Sequence, residues 1–288
     1  MIPPSQSQTE EIVSRPEKNS NFYFAFFFLP KTKRDALSAV YAYCRLIDDI
    51  VDSGSLGKDE AARMLAFWRE EVERLYAGRP THSLSAALAG FLEPFRLPKA
   101  AFLEVIRGCE MDLNRSRYET FEQLESYMQG VAGAVGSLSV EIFGYAHTPP
   151  EKIAEYAKYF GYAFQLTNII RDVGADLENG RIYLPLSDIE ECGYSADALA
   201  RREHNAAFSR LMNKQYERAK GFYRRARAAL DHRDRSAMLP AEVMAHIYEG
   251  LLDEIRAGGF RVLFGRTSQS TWVKLRQGIR AWIYCHGL

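Results

Sequence analysis

Asp48 and Asp52, and again Asp172 and Asp176, stand four residues apart in otherwise apolar surroundings. On a helix that spacing stacks two carboxylates one turn apart on one face, where they repel each other unless a cation bridges them. With 37 acidic residues in 288, roughly five acid pairs at this spacing arise by chance, so a solvated face is the default explanation of either pair alone. The neighbouring residues argue for more. Gln165, Asn168, Asp172 and Asp176 share one stripe of FQLTNIIRDVGAD, flanked by Phe164, Leu166, Ile169 and Ile170, and the stripe continues backwards through Gly161, Ala157 and Ala154. Tyr41, Arg45, Asp48 and Asp52 share a face in the same way, while Asp49 lies about 100° around the helix. Paired carboxylates with an amide one turn before them suit Mg²⁺, which takes few protein oxygens and completes its shell with water and phosphate oxygens. The small end of the second stripe leaves room for an apolar chain attached to such a phosphate.

These stripes need long helices to carry them, and the composition can supply a core for those helices. Of the 288 residues, 47% are apolar, and no linker divides the chain. One domain over residues 21–288, after a polar lead-in of residues 1–20, is expected. The 37 basic residues balance the 37 acidic ones, which removes any net-charge case for a nucleic-acid partner. Cys44, Cys109, Cys192 and Cys285 are scattered and form no CxxC, as in a reduced cytoplasmic protein without structural zinc. The opening MIPPSQSQTEEIVSRPEKNS has no apolar core and reads as neither a secretory signal nor an anchor.

The aromatic run NFYFAFFFLP is far shorter than the roughly 20 residues a membrane span requires. A buried first helix is expected there, with Phe22 and Phe26, one turn apart, as the sharper alternative of an aromatic wall beside an apolar substrate. Helices are predicted over 31–53, 58–78, 83–95, 99–114 and 121–145, the last crossed by Gly130, Gly133, Gly136 and Gly144. Interior glycines cost about 1 kcal/mol each against alanine, which points to close helix packing or to a cavity wall. Pro149 and Pro150 open the helix of the second stripe, and the following loop brings Arg181 and Tyr183 within reach of the acids. A single solvated helix is expected over 195–231, then a helix over 237–257. The last helix mixes Lys274, Arg276 and Arg280 with Trp272, Leu275, Ile279 and Trp282. Packing of these apolar residues against the bundle is expected, with contact to a membrane surface as the alternative.

YAYCRLIDDIVD (41–52) and FQLTNIIRDVGADLENGRIYLP (164–185) resemble the two signature regions of squalene and phytoene synthases, and the likeness runs from about Phe22 to Leu275. FYFAFFFLP, ETFEQLESYMQGVAGAVGSLSVEIFG and the short length look most like the bacterial presqualene diphosphate synthases of hopanoid pathways. The resemblance implies an all-α isoprenoid synthase bundle with a central cavity. It also implies Mg²⁺-dependent, head-to-head joining of two farnesyl diphosphates to presqualene diphosphate. Mg²⁺ would be held by Asp48, Asp52, Asn168, Asp172 and Asp176, and Tyr183 would act with the four aspartates in catalysis. Tyr41, Arg45, Gln165, Tyr183, Tyr248 and Arg266 would contact the substrates' polar ends, with Ser20 near the entrance. Phe22, Phe26, Val131 and Gly133 would line the hydrocarbon cavity.

Within the family, phytoene, dehydrosqualene and full squalene synthases are the alternatives; outside it, a chain-elongating prenyltransferase, a terpene cyclase or a silent helical scaffold. The QxxNxxRDxxxD arrangement favours head-to-head synthesis, and two complete acid pairs disfavour the scaffold. Several relatives carry a tyrosine where this chain has Gln129, although Tyr127 is present. That departure predicts that the chain stops at presqualene diphosphate. No GxGxxG follows a strand and NADPH is not expected, though some relatives bind it without that motif. Peripheral membrane contact would serve release of an apolar product.

Overall fold

The structure is a computed structural model that describes residues 29–52 and 56–287. Ser20, Phe22 and Phe26 lie outside them. Apolar residues recurring every three or four positions can be buried together only on helices, and among the described residues no strand forms beyond one isolated parallel bridge between Arg117 and Ile182. In order the helices are α1 (Lys31–Asp52), α2 (Lys58–Tyr76), α3 (Ser83–Leu92), α4 (Lys99–Asn114), α5 (Phe121–Met128) and α6 (Ala134–Phe143). They continue with α7 (Pro150–Glu178), α8 (Leu186–Glu191), α9 (Ala196–Ala200), α10 (Ala206–Ala229), α11 (Leu239–Ala257) and α12 (Thr271–His286). The expected all-α bundle is what forms.

Three departures from the sequence expectations have physical causes. The helix predicted over 121–145 is interrupted by a π-helical turn, Gln129–Gly133, which fits one extra residue between α5 and α6. The helix predicted over 195–231 is two helices. Arg202 takes a left-handed φ of 55°, and Asn205 starts α10 by accepting hydrogen bonds from the Ala207 and Phe208 N–H groups at 2.9 and 3.0 Å. Nor is α10 a solvated helix: it lies along α7 and buries Phe208, Leu211, Phe222 and Tyr223. The Tyr223 and Thr167 hydroxyls meet at 3.2 Å across that contact.

The third departure concerns α12. Its buried residues are Gln277, Gly278, Ala281 and Cys285, three of them small, so that the helix lies close against α11. Trp272, Leu275, Ile279 and Trp282, expected in the core, face solvent instead.

Close backbone approach shapes the centre of the bundle. A Cβ on Gly161 would sit 2.7 Å from the Ala132 carbonyl and the Gly133 nitrogen, so α7 presses directly on the π turn there. A Cβ on Gly174 would meet the Val262 and Leu263 carbonyls at 2.6 and 2.7 Å. That second contact seats the short 3₁₀ turn Arg261–Leu263 against α7, and the chain leaving the turn carries Arg266 back over the acidic end of the same helix.

Candidate active site

A cavity of about 750 Å³ opens between α1, α4, the π turn, α6, α7 and α11, within the size range of ligand pockets. Of the sixteen site residues that the resemblance implied, twelve line it: Tyr41, Arg45, Asp48, Asp52, Val131, Gln165, Asn168, Asp172, Asp176, Tyr183, Tyr248 and Arg266. Asp172 and Tyr156 both line it and lie sixteen residues apart on α7, which sets its depth at about 24 Å along the helix. The acid pairs, one from α1 and one from α7, mark one end. The other is closed by Phe143, Tyr156, Phe160 and Met244.

Arginines reach the acidic end from several elements. Arg181, from the loop after α7, donates to Asp52 at 2.7 Å. Arg266 approaches Asp172 at 3.0 Å and Arg171 donates to the same carboxylate at 2.8 Å. Arg45 lies 3.4 Å from Asp48 and 3.1 Å from Asp49, which gives Asp49 a partner off the stripe. Asp48 opens into the cleft with 44% of its side chain exposed, among the other carboxylates that line this end. Burial, reinforced by the neighbouring Asp52 carboxylate, pushes the Asp48 carboxyl up to about 6. Burial and Asp172 push Asp176 up to about 7. Both shifts record negative charge held in a poorly solvated place.

The donor set fits Mg²⁺. The Asn168 Oδ1, on the same stripe as Asp172 and Asp176, is buried and has no hydrogen-bond partner, an orphan acceptor that a hard cation satisfies. No three His, Cys, Asp or Glu side chains converge among the described residues.

Sequence reasoning missed Asp112. It accepts hydrogen bonds from the Tyr127 hydroxyl at 2.7 Å and the Tyr183 hydroxyl at 3.0 Å, and the Tyr127 and Tyr183 rings stack at 5.2 Å. Burial pushes the Asp112 carboxyl up to about 6. One acid from α4 thus fixes two cavity-lining phenols, from α5 and from the loop after α7. Its only sequence signal was an acid inside the amphipathic pattern of α4, which spacing cannot separate from a solvated one.

Two expectations change here. Gly133 does not line the cavity: the wide turn presents Val131 and Ala132 to it, while Gly133 lies against α7 and the Gln129 side chain. Gln129 points away from the cavity, its Oε1 accepting from the Tyr162 hydroxyl at 3.3 Å. The aromatic hydroxyl on this wall is supplied by Tyr127.

With this geometry in place, the likeness to known proteins is coherent. Residues 16–276 match the squalene/phytoene synthase family. The chain is 36% identical to the 15-cis-phytoene synthase of Synechocystis sp., over 91% of this chain and 80% of that one. It is 34% identical to the phytoene synthase of Arthrospira platensis, over 88% and 85%. Among solved structures, a dehydrosqualene synthase superposes with a TM-score of 0.84 at 28% identity, covering 98% of this chain and 96% of the other. A squalene synthase from Alicyclobacillus acidocaldarius superposes with a TM-score of 0.79 at 26% identity, covering 88% and 94%. An all-α cavity with two facing acid pairs defines a class of enzyme acting on prenyl diphosphates. Within that class, the chain belongs to the squalene/phytoene synthase family.

Proposed function

We propose that the chain joins two farnesyl diphosphates head to head, releasing diphosphate and forming presqualene diphosphate. The carrying observation is that two acid pairs on separate helices line one end of a cavity whose other end is lined by Phe143, Phe160 and Met244. Mg²⁺ held by Asp48, Asp52, Asn168, Asp172 and Asp176 would neutralise charge on the leaving diphosphate. Arg45, Arg171, Arg181 and Arg266 reach the same end and draw off charge as the C1–O bond breaks. The allylic cation then lies in an apolar space beside Phe160, Phe164 and Tyr248, whose neighbouring rings are 5.5 and 5.1 Å apart. Ring faces stabilise a cation there, and exclusion of water preserves it. The 2,3-double bond of the second substrate attacks the cation, and loss of one proton closes the cyclopropane. The Asp112-anchored phenols of Tyr127 and Tyr183 hold fixed dipoles against this cavity wall.

Support for C15 substrates comes from the resemblance to presqualene diphosphate synthases and from structural neighbours named for squalene and dehydrosqualene synthesis. A second reading, joining of C20 chains to phytoene, is favoured by the phytoene synthases among the relatives. Farnesyl and geranylgeranyl diphosphate, each with Mg²⁺ and with or without NADPH, followed by phosphatase treatment and mass spectrometry, separate the two. Presqualene alcohol from farnesyl diphosphate, independent of NADPH, is expected. Phytoene from geranylgeranyl diphosphate, with farnesyl diphosphate left unused, overturns the proposal in favour of the second reading. Asp48→Asn and Asp172→Asn should each lower turnover by orders of magnitude in a folded protein, and near-normal turnover in either would remove the two-cluster mechanism.

A further inference from the structure

Every large apolar side chain that is exposed among the described residues lies between Phe264 and Ile283. These are Phe264, Trp272, Leu275, Ile279, Trp282 and Ile283, with Trp272 80% exposed and Phe264 67% exposed. At about 100° per residue, the five on α12 fall within an arc of roughly 100°. The opposite face, Gln277, Gly278, Ala281 and Cys285, is the one buried in the bundle. Scattered surface leucines are ordinary, but a continuous stripe with a tryptophan near each end is a surface shaped to be covered.

The charge around the stripe identifies the cover. Glu254 is the last acidic residue of the chain, and the 34 residues after it contain six basic ones, Arg256, Arg261, Arg266, Lys274, Arg276 and Arg280. Arg276 and Arg280 are exposed and follow the apolar arc along one edge of α12. An apolar face bordered by arginine and carrying tryptophans matches the boundary between lipid headgroups and acyl chains. No helix among the described residues is long and apolar enough to cross a membrane, so the fit is to a helix lying in the surface plane. Phe264 stands two residues before Arg266, which lines the cavity and touches Asp172.

We infer that α12 and the preceding loop dock this protein on an anionic phospholipid surface, with Phe264, Trp272, Ile279 and Trp282 entering the interface and Arg276 and Arg280 on the headgroups. The inference goes beyond the proposed reaction and rests on α12 and its charge. Docking can therefore fail with the chemistry intact, and the reverse.

The test uses the full chain without substrate. Co-sedimentation is measured with vesicles of phosphatidylcholine alone and of phosphatidylcholine with phosphatidylglycerol, alongside tryptophan emission. Binding to the mixed vesicles, weaker on the neutral ones, with a blue shift of tryptophan emission, is expected. Trp272→Ser/Ile279→Ser should lower vesicle partitioning by about tenfold or more, and Arg276→Gln or Arg280→Gln by on the order of fivefold each on anionic vesicles only. All three variants should keep the wild-type melting temperature and, in detergent, its turnover. Absence of binding to either vesicle overturns the inference. So does a fall in melting temperature for Trp272→Ser/Ile279→Ser, which assigns the face to a segment of the chain itself. A concentration-dependent dimer that these substitutions dissociate assigns it to a second copy and likewise overturns it.

Discussion

At the scale of single residues, the site concentrates negative charge that water cannot fully solvate. Burial and a neighbouring carboxylate raise Asp176 to about 7 and Asp48 to about 6. A carboxyl raised in the folded state binds its proton more tightly than in the unfolded chain. Without metal, its contribution is thus fully present below the ordinary carboxylate range and is lost as pH climbs through the folded value. His82 and His246, both lowered by burial, work in the opposite direction, so the metal-free melting curve mixes the two. The clean quantity is the difference Mg²⁺ makes, because protons and cation compete for Asp48 and Asp176. The rise in melting temperature on adding Mg²⁺ should grow from about pH 5 to about pH 8 and flatten in Asp176→Asn, as followed by circular dichroism. A pH-independent Mg²⁺ effect would show that these carboxylates do not bind the metal.

At the scale of elements, what the sequence made legible was the spacing within each helix. The two acid stripes, the amide at Asn168 and the arginine loop after α7 could be read because each lies on one local segment. Asp112 could not, since its role depends on tyrosines from two other elements. Nor could the π turn, which carries no spacing signal and changes which of Val131, Ala132 and Gly133 faces the cavity. The face of α12 was misjudged because periodicity says that a helix has two sides, not which one meets the bundle. The small residues Gly278, Ala281 and Cys285 were the available signal. Gly161 shows the same limit in part: it lines the cavity as its place in the stripe suggested, but the stripe gave no sign that the same residue also presses on the backbone of the π turn. Gly161→Ala should therefore destabilise the fold by about 1–3 kcal/mol in urea titration, and the surviving folded protein should give unchanged products. A shorter product at undiminished stability would show that a side chain at Gly161 enters the cavity rather than the backbone contact.

At the scale of the molecule, the cavity is a blind slot whose length decides what fits. Tyr156 is fully buried at its closed end, packs edge-on to Phe160 at 4.7 Å, and has a hydroxyl without a hydrogen-bond partner. Tyr156→Phe should be neutral or stabilising, because it removes an unsatisfied polar group. Tyr156→Ala should cost about 3–5 kcal/mol and raise the use of geranylgeranyl relative to farnesyl diphosphate in competition assays. An unchanged preference in a folded Tyr156→Ala protein would place the length limit elsewhere. The charge layout has its own consequence at this scale. The formal neutrality of the chain conceals an imbalance, since six basic residues without an acid after Glu254 leave residues 1–254 with six more acidic than basic side chains. Near a negatively charged surface the basic C-terminal segment is attracted while the acidic remainder is repelled, which gives a torque rather than a net pull. The molecule would be turned before it touches, over the final Debye length of about 8 Å at physiological salt, and the end that swings inward is the one bearing Arg266.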